Sequence, residues 1–443
     1  MESIETTSHC DVLVIGGGPG GSTAATLLKR RGWDVIQLEK DRHPRFHIGE
    51  SLLPANLAIL DELGVLEKVR ALGVLKLGVD FQSEHGGYRT FHFRRALGAT
   101  PGHAFQVKRE EFDRMLFDNA RRHAVDAREG VKVERVEVAG IDGVTAVAKA
   151  LDSGATLRVR ARYLVDASGR DTVLGNALKL KRRNREHQSA AIFAHFHDVE
   201  YRRGEDAGNI SIYNFEYGWC WFIPLREGVM SVGCVCWPEY LKQRRGPNHQ
   251  FLLDTLKRMP EAWARMHAAS MISDVRVTGN YSYRCERMCG PGWVMVGDAY
   301  AFVDPVFSSG VYLAMHSARH AAALVDACLR DPVRETTRQR VFERRIRRGV
   351  RVFSWFIYRF NSPAMQALFA RPSNVLRLED GVVSMLAGDV FDDRAVLRRL
   401  GLFKLIYACT SLRNLRRSSA ERRARRRQAR YAFSGGNTPV DPR

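Results

Sequence analysis

The feature that most restricts this chain is a glycine turn close to its start. Gly16-Gly17-Gly18-Pro19-Gly20-Gly21 sits between Asp11-Val12-Leu13-Val14-Ile15, a short β-branched stretch, and Ser22–Arg31, rich in Ala and Leu. The first stretch reads as a buried strand and the second as a helix. Asp34–Glu39 then reads as a second strand, so the chain opens with a β-turn-α-β unit. The turn satisfies G-x-G-x-x-G, a pattern that is weak alone but informative between a strand and a helix. Gly16 permits the tight turn, Gly18 lets the backbone approach a pyrophosphate, and Gly21 lets helix pack closely on strand. The helix N-terminus then offers unpaired N–H groups to phosphates. Glu39 ends the next strand 23 residues after Gly16 and is placed to accept ribose hydroxyls. Gly20, Lys40 and Ser51 join these as candidate cofactor contacts.

Length and composition leave room for more than this unit. The chain has 443 residues, 45% of them hydrophobic, enough for two or three domains or one architecture with long insertions. Residues 1–10 lack a basic start followed by an apolar stretch, and no run of about 18 apolar residues exists to span a membrane. The eight cysteines include the close pairs Cys234/Cys236 and Cys285/Cys289, without a second pair at zinc spacing. They read as buried thiols of a cytoplasmic protein, with no metal site. The net charge is +20, and Arg413–Arg430 alone holds nine arginines and one Glu. That run reads as a solvated helix or frayed tail, or as a docking surface for an acidic partner such as a carrier protein. No motif supports nucleic-acid binding.

Further along, residues 50–72 have leucines at helical spacing. Leu75, Leu77, Val79 and Phe81 alternate with Lys76, Gly78 and Asp80, which predicts a strand with one apolar face. Glu110–His123 reads as a helix, 131–166 as short strands, and 187–238, rich in Phe, Ile, Tyr and Trp, as a sheet. Val294-Met295-Val296 is a strand returning to the first domain, and Gly310–Leu329 a long helix. From about 331 onward the chain reads as mostly helical.

Two distant segments specify the dinucleotide. Tyr163-Leu164-Val165-Asp166-Ala167-Ser168-Gly169-Arg170 is a strand entering a small-residue turn, and Val296-Gly297-Asp298-Ala299 is another ending in a carboxylate. In this order and spacing they resemble the second and third flavin motifs of the p-hydroxybenzoate-hydroxylase-like class. That resemblance implies FAD, with Asp298 on the ribityl chain and Arg109, in Gln106-Val107-Lys108-Arg109, near the flavin. The expected fold is α/β: a Rossmann-type FAD-binding domain over 1–330 (segments near 8–80, 105–180 and 280–330). An antiparallel substrate-side sheet is inserted at about 81–104 and 185–280, and a helical region with an Arg-rich tail fills 331–443.

Three further segments are similar to those of flavin-dependent halogenases, especially the branch acting on pyrroles and phenols, over about Asp11–Asp392. Trp219-Cys220-Trp221-Phe222-Ile223-Pro224 fits the family signature W-x-W-x-I-P; its two indoles alternate onto one strand face and can wall off space beside the flavin ring. Lys76 stands where the family has a lysine between flavin and substrate, which captures or hydrogen-bonds hypohalous acid. Phe302–Val311 includes Pro305, expected at the flavin edge, and the helix start Ser309-Gly310-Val311, where the resemblance implies that the Ser309 and Gly310 amides bind halide. Tryptophan halogenases carry a Glu where this chain has Phe307, which disfavours indole and favours a ring activated by its own heteroatom. Phe46–Pro54 also resembles the loop of the pyrrole and phenol branch, with His47 or Glu50 as candidate proton carriers.

The resemblance implies a two-component enzyme. Reduced FAD and molecular oxygen, through a flavin hydroperoxide, convert chloride or bromide to hypohalous acid, and Lys76 passes halogen to a phenol or pyrrole, free or on a carrier protein. There is no second G-x-G-x-x-G for a nicotinamide, so electrons are expected from a separate flavin reductase. The alternative is a flavin monooxygenase or a geranylgeranyl-reductase-like oxidoreductase, which shares the nucleotide motifs but does not require the Trp219/Trp221 signature together with Lys76. A non-catalytic flavoprotein that docks a carrier protein is a third reading.

Overall fold

The glycine turn leads into a parallel sheet. In the computed structural model, which describes residues 6–83, 86–370 and 374–413, the strand Thr6–Ile15 ends at the turn and the helix Pro19–Lys29 begins inside it, with proline at its first position. Proline is tolerated there because its missing N–H would have no helical partner anyway. The Arg-rich stretch beyond Arg413 lies outside the described residues.

The chain divides into two compact units. The first takes in the residues up to Leu72, Val107–Arg183 and Tyr283–Arg351. Its sheet runs in the order Cys289–Gly290, Trp293–Met295, Thr156–Asp166, Thr6–Ile15, Val35–Glu39, Asp126–Glu129. The four strands from Trp293–Met295 to Val35–Glu39 are mutually parallel, and Asp126–Glu129 extends them in the same sense. Val131–Val138 and Val144–Ala150 form an antiparallel pair, the second of which joins Thr156–Asp166. Val12, Leu13 and Val14 are wholly buried, as expected of a parallel sheet covered on both faces. Helices Pro19–Lys29, Arg109–Arg122 and Ser309–Arg330 belong to the same unit. The expected helix over 50–72 is two helices, Pro54–Glu62 and Leu66–Leu72, parted at Gly64, whose φ of 72° only glycine adopts readily.

The second unit takes in Gly73–Gln106, Asn184–Ser282 and the chain from Val352 onward. Its sheet includes, in order, Arg276–Cys285, Lys181–His197, Met230–Cys236, Gly218–Pro224, Ile210–Phe215, Gly78–Gln82 and Tyr88–His92. All but one of the registered pairs along this order are antiparallel, Ile210–Phe215 on Gly78–Gln82 being parallel. One face carries Ile192, Phe222, Val232 and Met230 into a core shared with the helix Asn248–Leu256. The other carries Trp219 and Trp221. The helices Pro363–Ala370, Leu378–Leu386 and Arg394–Arg413 follow, in line with the helical reading of the C-terminal region.

Two expectations are corrected. The predicted strand over 75–81 is broken at Leu77 into Val74–Lys76, which pairs with Ala104–Gln106, and Gly78–Gln82. Val79 and Phe81 are buried, as an apolar face requires, but Lys76 and Asp80 are fully enclosed as well, and Leu75 is 51% exposed. Alternation alone cannot say which side of a ribbon is covered. The cysteines are not all free either. Cys220 and Cys234 are direct partners in the antiparallel register and form a disulfide, while Cys236, Cys285, Cys289 and Cys328 are buried free thiols.

Candidate functional site

Three strand ends lie level in the first unit. Ile15 pairs with Asp166, and Asp166 with Met295, so the Gly16, Ala167–Arg170 and Gly297–Asp298 turns emerge side by side at the carboxyl edge of the parallel sheet. That edge is where open α/β sheets bind ligands. A Cβ on Gly16 would fall 2.3 Å from the Ala167 oxygen, and φ is 107°; on Gly21 it would fall 1.9 Å from the Gly16 oxygen. Both positions therefore demand glycine for packing. At Gly18 a Cβ would meet only the Arg45 guanidinium, at 3.4 Å, so the backbone there is open to a ligand. Gly20 packs near Ala314 and Val296.

Charges converge on this edge. Glu39 accepts from the Gly17 amide at 2.5 Å and the Asp41 amide at 2.9 Å, with Arg45 3.5 Å away. Lys40 pairs with Asp171 at 2.6 Å, on the neighbouring turn. Arg109 makes a two-pronged bond to Asp113, at 2.8 and 2.9 Å, and donates to the Ile48 carbonyl at 2.6 Å. Burial pushes the Asp298 carboxyl up to about 6, against the pull of Arg170 and Arg109. Burial, reinforced by Arg109, lowers His47 to about 4, so it is neutral near pH 7 and a poor proton carrier. Ser51 is buried, and the Glu50 carbonyl accepts from the Val107 amide.

The helix Ser309–Arg330 starts after Ser308, whose φ of 55° turns the chain sharply, and a short turn Pro305–Phe307 capped by Asp304 leads into it. Its first amides have no partner within the helix and carry its positive dipole end. Ser309 and Val311 are buried, but Gly310 is exposed and a Cβ there would meet nothing within 4 Å. An anion can thus approach the Gly310 amide without displacing a side chain. Phe307 is buried, Pro305 half-buried.

In the second unit, Lys76 is among the largest wholly buried side chains. Its Nζ lies 5.2 Å from the centre of the Phe93 ring, and Phe93 is tied back by its amide to the Leu77 carbonyl at 2.9 Å. Burial lowers the ammonium to about 7. Trp219 and Trp221 are buried with ring centres 5.7 Å apart; Trp221 donates to Ser231 Oγ at 3.2 Å and leans on Phe193. Gly233, the register partner of Trp221, leaves room for that ring, since a Cβ would fall 2.4 Å from it.

An FAD-binding domain model matches residues 9–348. A tryptophan 2-halogenase of Chondromyces crocatus is 38% identical over 331 residues, 74% of this chain but only 63% of that protein, so the chain spans less than two thirds of that relative's length. A 1H-pyrrole-2-carbonyl-(peptidyl-carrier protein) brominase of Pseudoalteromonas luteoviolacea is 35% identical over 70% of this chain and 76% of its own. The chain belongs to the flavin-dependent halogenase family. A solved flavoprotein/dehydrogenase of Cytophaga hutchinsonii superposes on 92% of this halogenase-family chain with a TM-score of 0.83 at 28% identity, and is itself covered completely.

The glycines, Glu39 and Asp298 suit the family's FAD: a cradle that side chains would fill, free helix N–H groups for the pyrophosphate, and carboxylates for hydroxyls. The structure brings Gly16, Gly18, Gly21, Glu39, Lys40, Arg109 and Asp298 to one edge of one unit. Lys76, Trp219 and Trp221 belong to the other unit. Sequence reasoning passed over Arg45 and Asp113, which with Glu39 and Arg109 complete a buried chain of alternating charge. The only sequence signal for them was an acidic residue four positions after Arg109, on the same helix face. No group of His, Cys, Asp and Glu that could hold a metal exists among the described residues, and no helix among them is long and apolar enough to cross a membrane.

Proposed function

We propose that this chain is an FAD-dependent halogenase that installs chlorine or bromine on an electron-rich ring, a phenol or a pyrrole, free or held on a carrier protein. The observation that carries the reading is Lys76, a lysine enclosed completely, over an aromatic ring, and lowered by burial to about 7. Near neutral pH a large share of such a group is free amine, which is nucleophilic where an ordinary lysine is not. Bound FAD, reduced and exposed to dioxygen and halide, supplies hypohalous acid. The Lys76 nitrogen then attacks halogen: an N–X bond forms, the O–X bond breaks, and the amine proton and hydroxide leave as water. Transfer of X⁺ to a ring carbon, with loss of the ring proton, restores the amine. The Ser309 and Gly310 amides hold the halide, Asp298 and Glu39 orient FAD hydroxyls, and Trp219 and Trp221 keep water from the substrate side.

Phe307, apolar and buried, offers no base to a ring, which favours substrates activated by their own oxygen or nitrogen. The pyrrole-carrier brominase among the relatives supports a carrier-bound pyrrole. The tryptophan 2-halogenase supports a second substrate, since position 2 lies on the pyrrole half of an indole. Electrons come from a separate flavin reductase in this reading.

The test supplies reduced FAD, dioxygen and bromide with phenols, free and thioester-bound pyrroles, and tryptophan. Products carrying the bromine isotope pair are expected, and Lys76→Ala should abolish them while flavin oxidation continues. Hydroxylated products from the parent enzyme would overturn the reading in favour of a monooxygenase.

A further inference from the structure

Lys76 is the last residue of a three-residue strand, followed by a break at Leu77. So short a ribbon does not by itself fix a long side chain, yet the lysine is wholly buried. What fixes the break is a side chain over a hundred residues further on. Asn209 Oδ1 accepts from the Leu77 amide at 3.1 Å and from the Gly78 amide at 2.7 Å. Its Nδ2 donates to Asp80 at 3.2 Å and to Asp206 at 2.9 Å. All four hydrogen-bonding positions of this carboxamide are thus used, and it is 1% exposed. Two carboxylates on one side and two amides on the other leave a single orientation. The acceptor end serves no group of its own loop; it serves the two peptides directly after Lys76.

The preceding residue holds the other side. A Cβ on Gly208 would fall 1.8 Å from the Leu75 oxygen, so the loop presses on the lysine's strand as closely as backbone can. The Gly208 carbonyl accepts from Gln106 Nε2 at 3.1 Å, and Gln106 is the strand partner of Val74. Loop and ribbon are therefore clamped on both sides of Lys76.

We infer that Asn209 is a positioning residue for Lys76, pinning the Leu77 and Gly78 amides so that the ammonium is held at one place, with Gly208 as the backstop. The inference rests on the proposed role of Lys76 in halogen transfer. Loss of the clamp leaves hypohalous acid to be made as before but lets it escape before transfer, because displacement by about an ångström costs roughly 10- to 100-fold in a positioned reaction.

The experiment measures brominated product against hypobromite caught by a soluble amine trap, in the FAD-loaded full chain with a substrate accepted by the parent enzyme. Asn209→Ala and Gly208→Ala are expected to lower this ratio about 10-fold or more, with FAD affinity and flavin oxidation rate at the parent's values. Arg94→Ala, which removes an exposed ion pair to Glu205 on the same loop, should leave it unchanged. A parental ratio in Asn209→Ala, with Lys76→Ala inactive, overturns this inference and leaves the role of Lys76 standing. Absence of any brominated product from the parent enzyme overturns both. If neither variant folds, hydrogen exchange in the parent enzyme decides: protected Leu77 and Gly78 amides support the clamp, and exchange within seconds overturns it.

Discussion

Arg109 and Asp113 face each other one helical turn apart, both almost wholly out of solvent, in a two-pronged ion pair of 2.8 and 2.9 Å. Arg45 reaches the same carboxylate at 3.3 Å. Burial by itself would push the Asp113 carboxyl up, but Arg109 and then Arg45 hold it below the ordinary range. Removing one member of such a buried pair strands the others. Asp113→Ala should therefore cost about 3–5 kcal/mol in denaturant unfolding at pH 7. A depressed carboxyl stabilises the fold above its unfolded value and loses that contribution as pH falls through the folded one. The gap between parent and variant should thus close below about pH 4.

Asp298 has the opposite sign. Its folded value, about 6, lies above the unfolded one. The folded state then holds the extra proton, and stability of the FAD-free protein declines as pH rises from about 4 to about 6. Asn cannot ionise, so Asp298→Asn should remove that slope. It should raise stability at pH 7 by about 1–2 kcal/mol while weakening FAD binding. Urea midpoints at pH 4.5 and 7 with flavin titrations check both; a parallel shift at the two pH values would refute the argument.

Lys76 titrates from about 7 in the folded chain and from the ordinary lysine value in the unfolded one. Between these values the unfolded chain binds the extra proton, so stability rises with pH. Lys76→Met should be more stable than the parent at pH 6–7, and its advantage should shrink by about 1.4 kcal/mol per pH unit between 7 and 10. Thermal melts across that range measure it, independently of any substrate.

Two glycines of the first unit should behave oppositely. Gly21→Ala drives a methyl group into the Gly16 carbonyl, and should lose FAD binding and about 2 kcal/mol or more of stability. Gly310→Ala meets open space in a helix and should leave the melting temperature unchanged or slightly higher. If the Gly310 amide holds halide, the added methyl should nevertheless raise the KM for bromide. An unchanged KM would remove Gly310 from the halide site.

In the second unit, Gly233→Ala places a methyl against the Trp221 ring and Phe193. A cost of about 1–3 kcal/mol is expected, with a blue or red shift of tryptophan fluorescence. FAD affinity should hold, because the residues proposed to bind FAD belong to the first unit.

Much of this was legible in residue order. The glycine turn, Asp166 and Asp298 each follow a β-branched or apolar strand, and the resemblance of these motifs to a flavin-binding class implied that they serve one cofactor; that their turns meet at one edge is set by the parallel register of the strands. The need for glycine at 16 and 21 was likewise readable, because the motif exists to bring backbone against backbone. Local pattern failed at Lys76. Alternation over 75–81 placed Leu75, Leu77, Val79 and Phe81 on a single apolar face. Val79 and Phe81 are buried, but the strand breaks at Leu77, where Asn209 accepts from the backbone amides, and Lys76 and Asp80 are buried while Leu75 is exposed. The Cys220–Cys234 pairing escaped notice for the same reason: it depends on the register between two strands.

The sequence by itself determined the opening β-turn-α-β dinucleotide unit, since that follows from glycine spacing between a strand and a helix, while FAD and the expected role of Lys76 in halogen transfer were what its resemblance to flavin-dependent halogenases implied. Only the tertiary structure decided which charges are buried together and which way Lys76 titrates. Desolvation and ion pairing depend on what other segments bring within a few ångströms, and Arg45, Asp113, Asn209 and Gly208 reach their partners from distant parts of the chain.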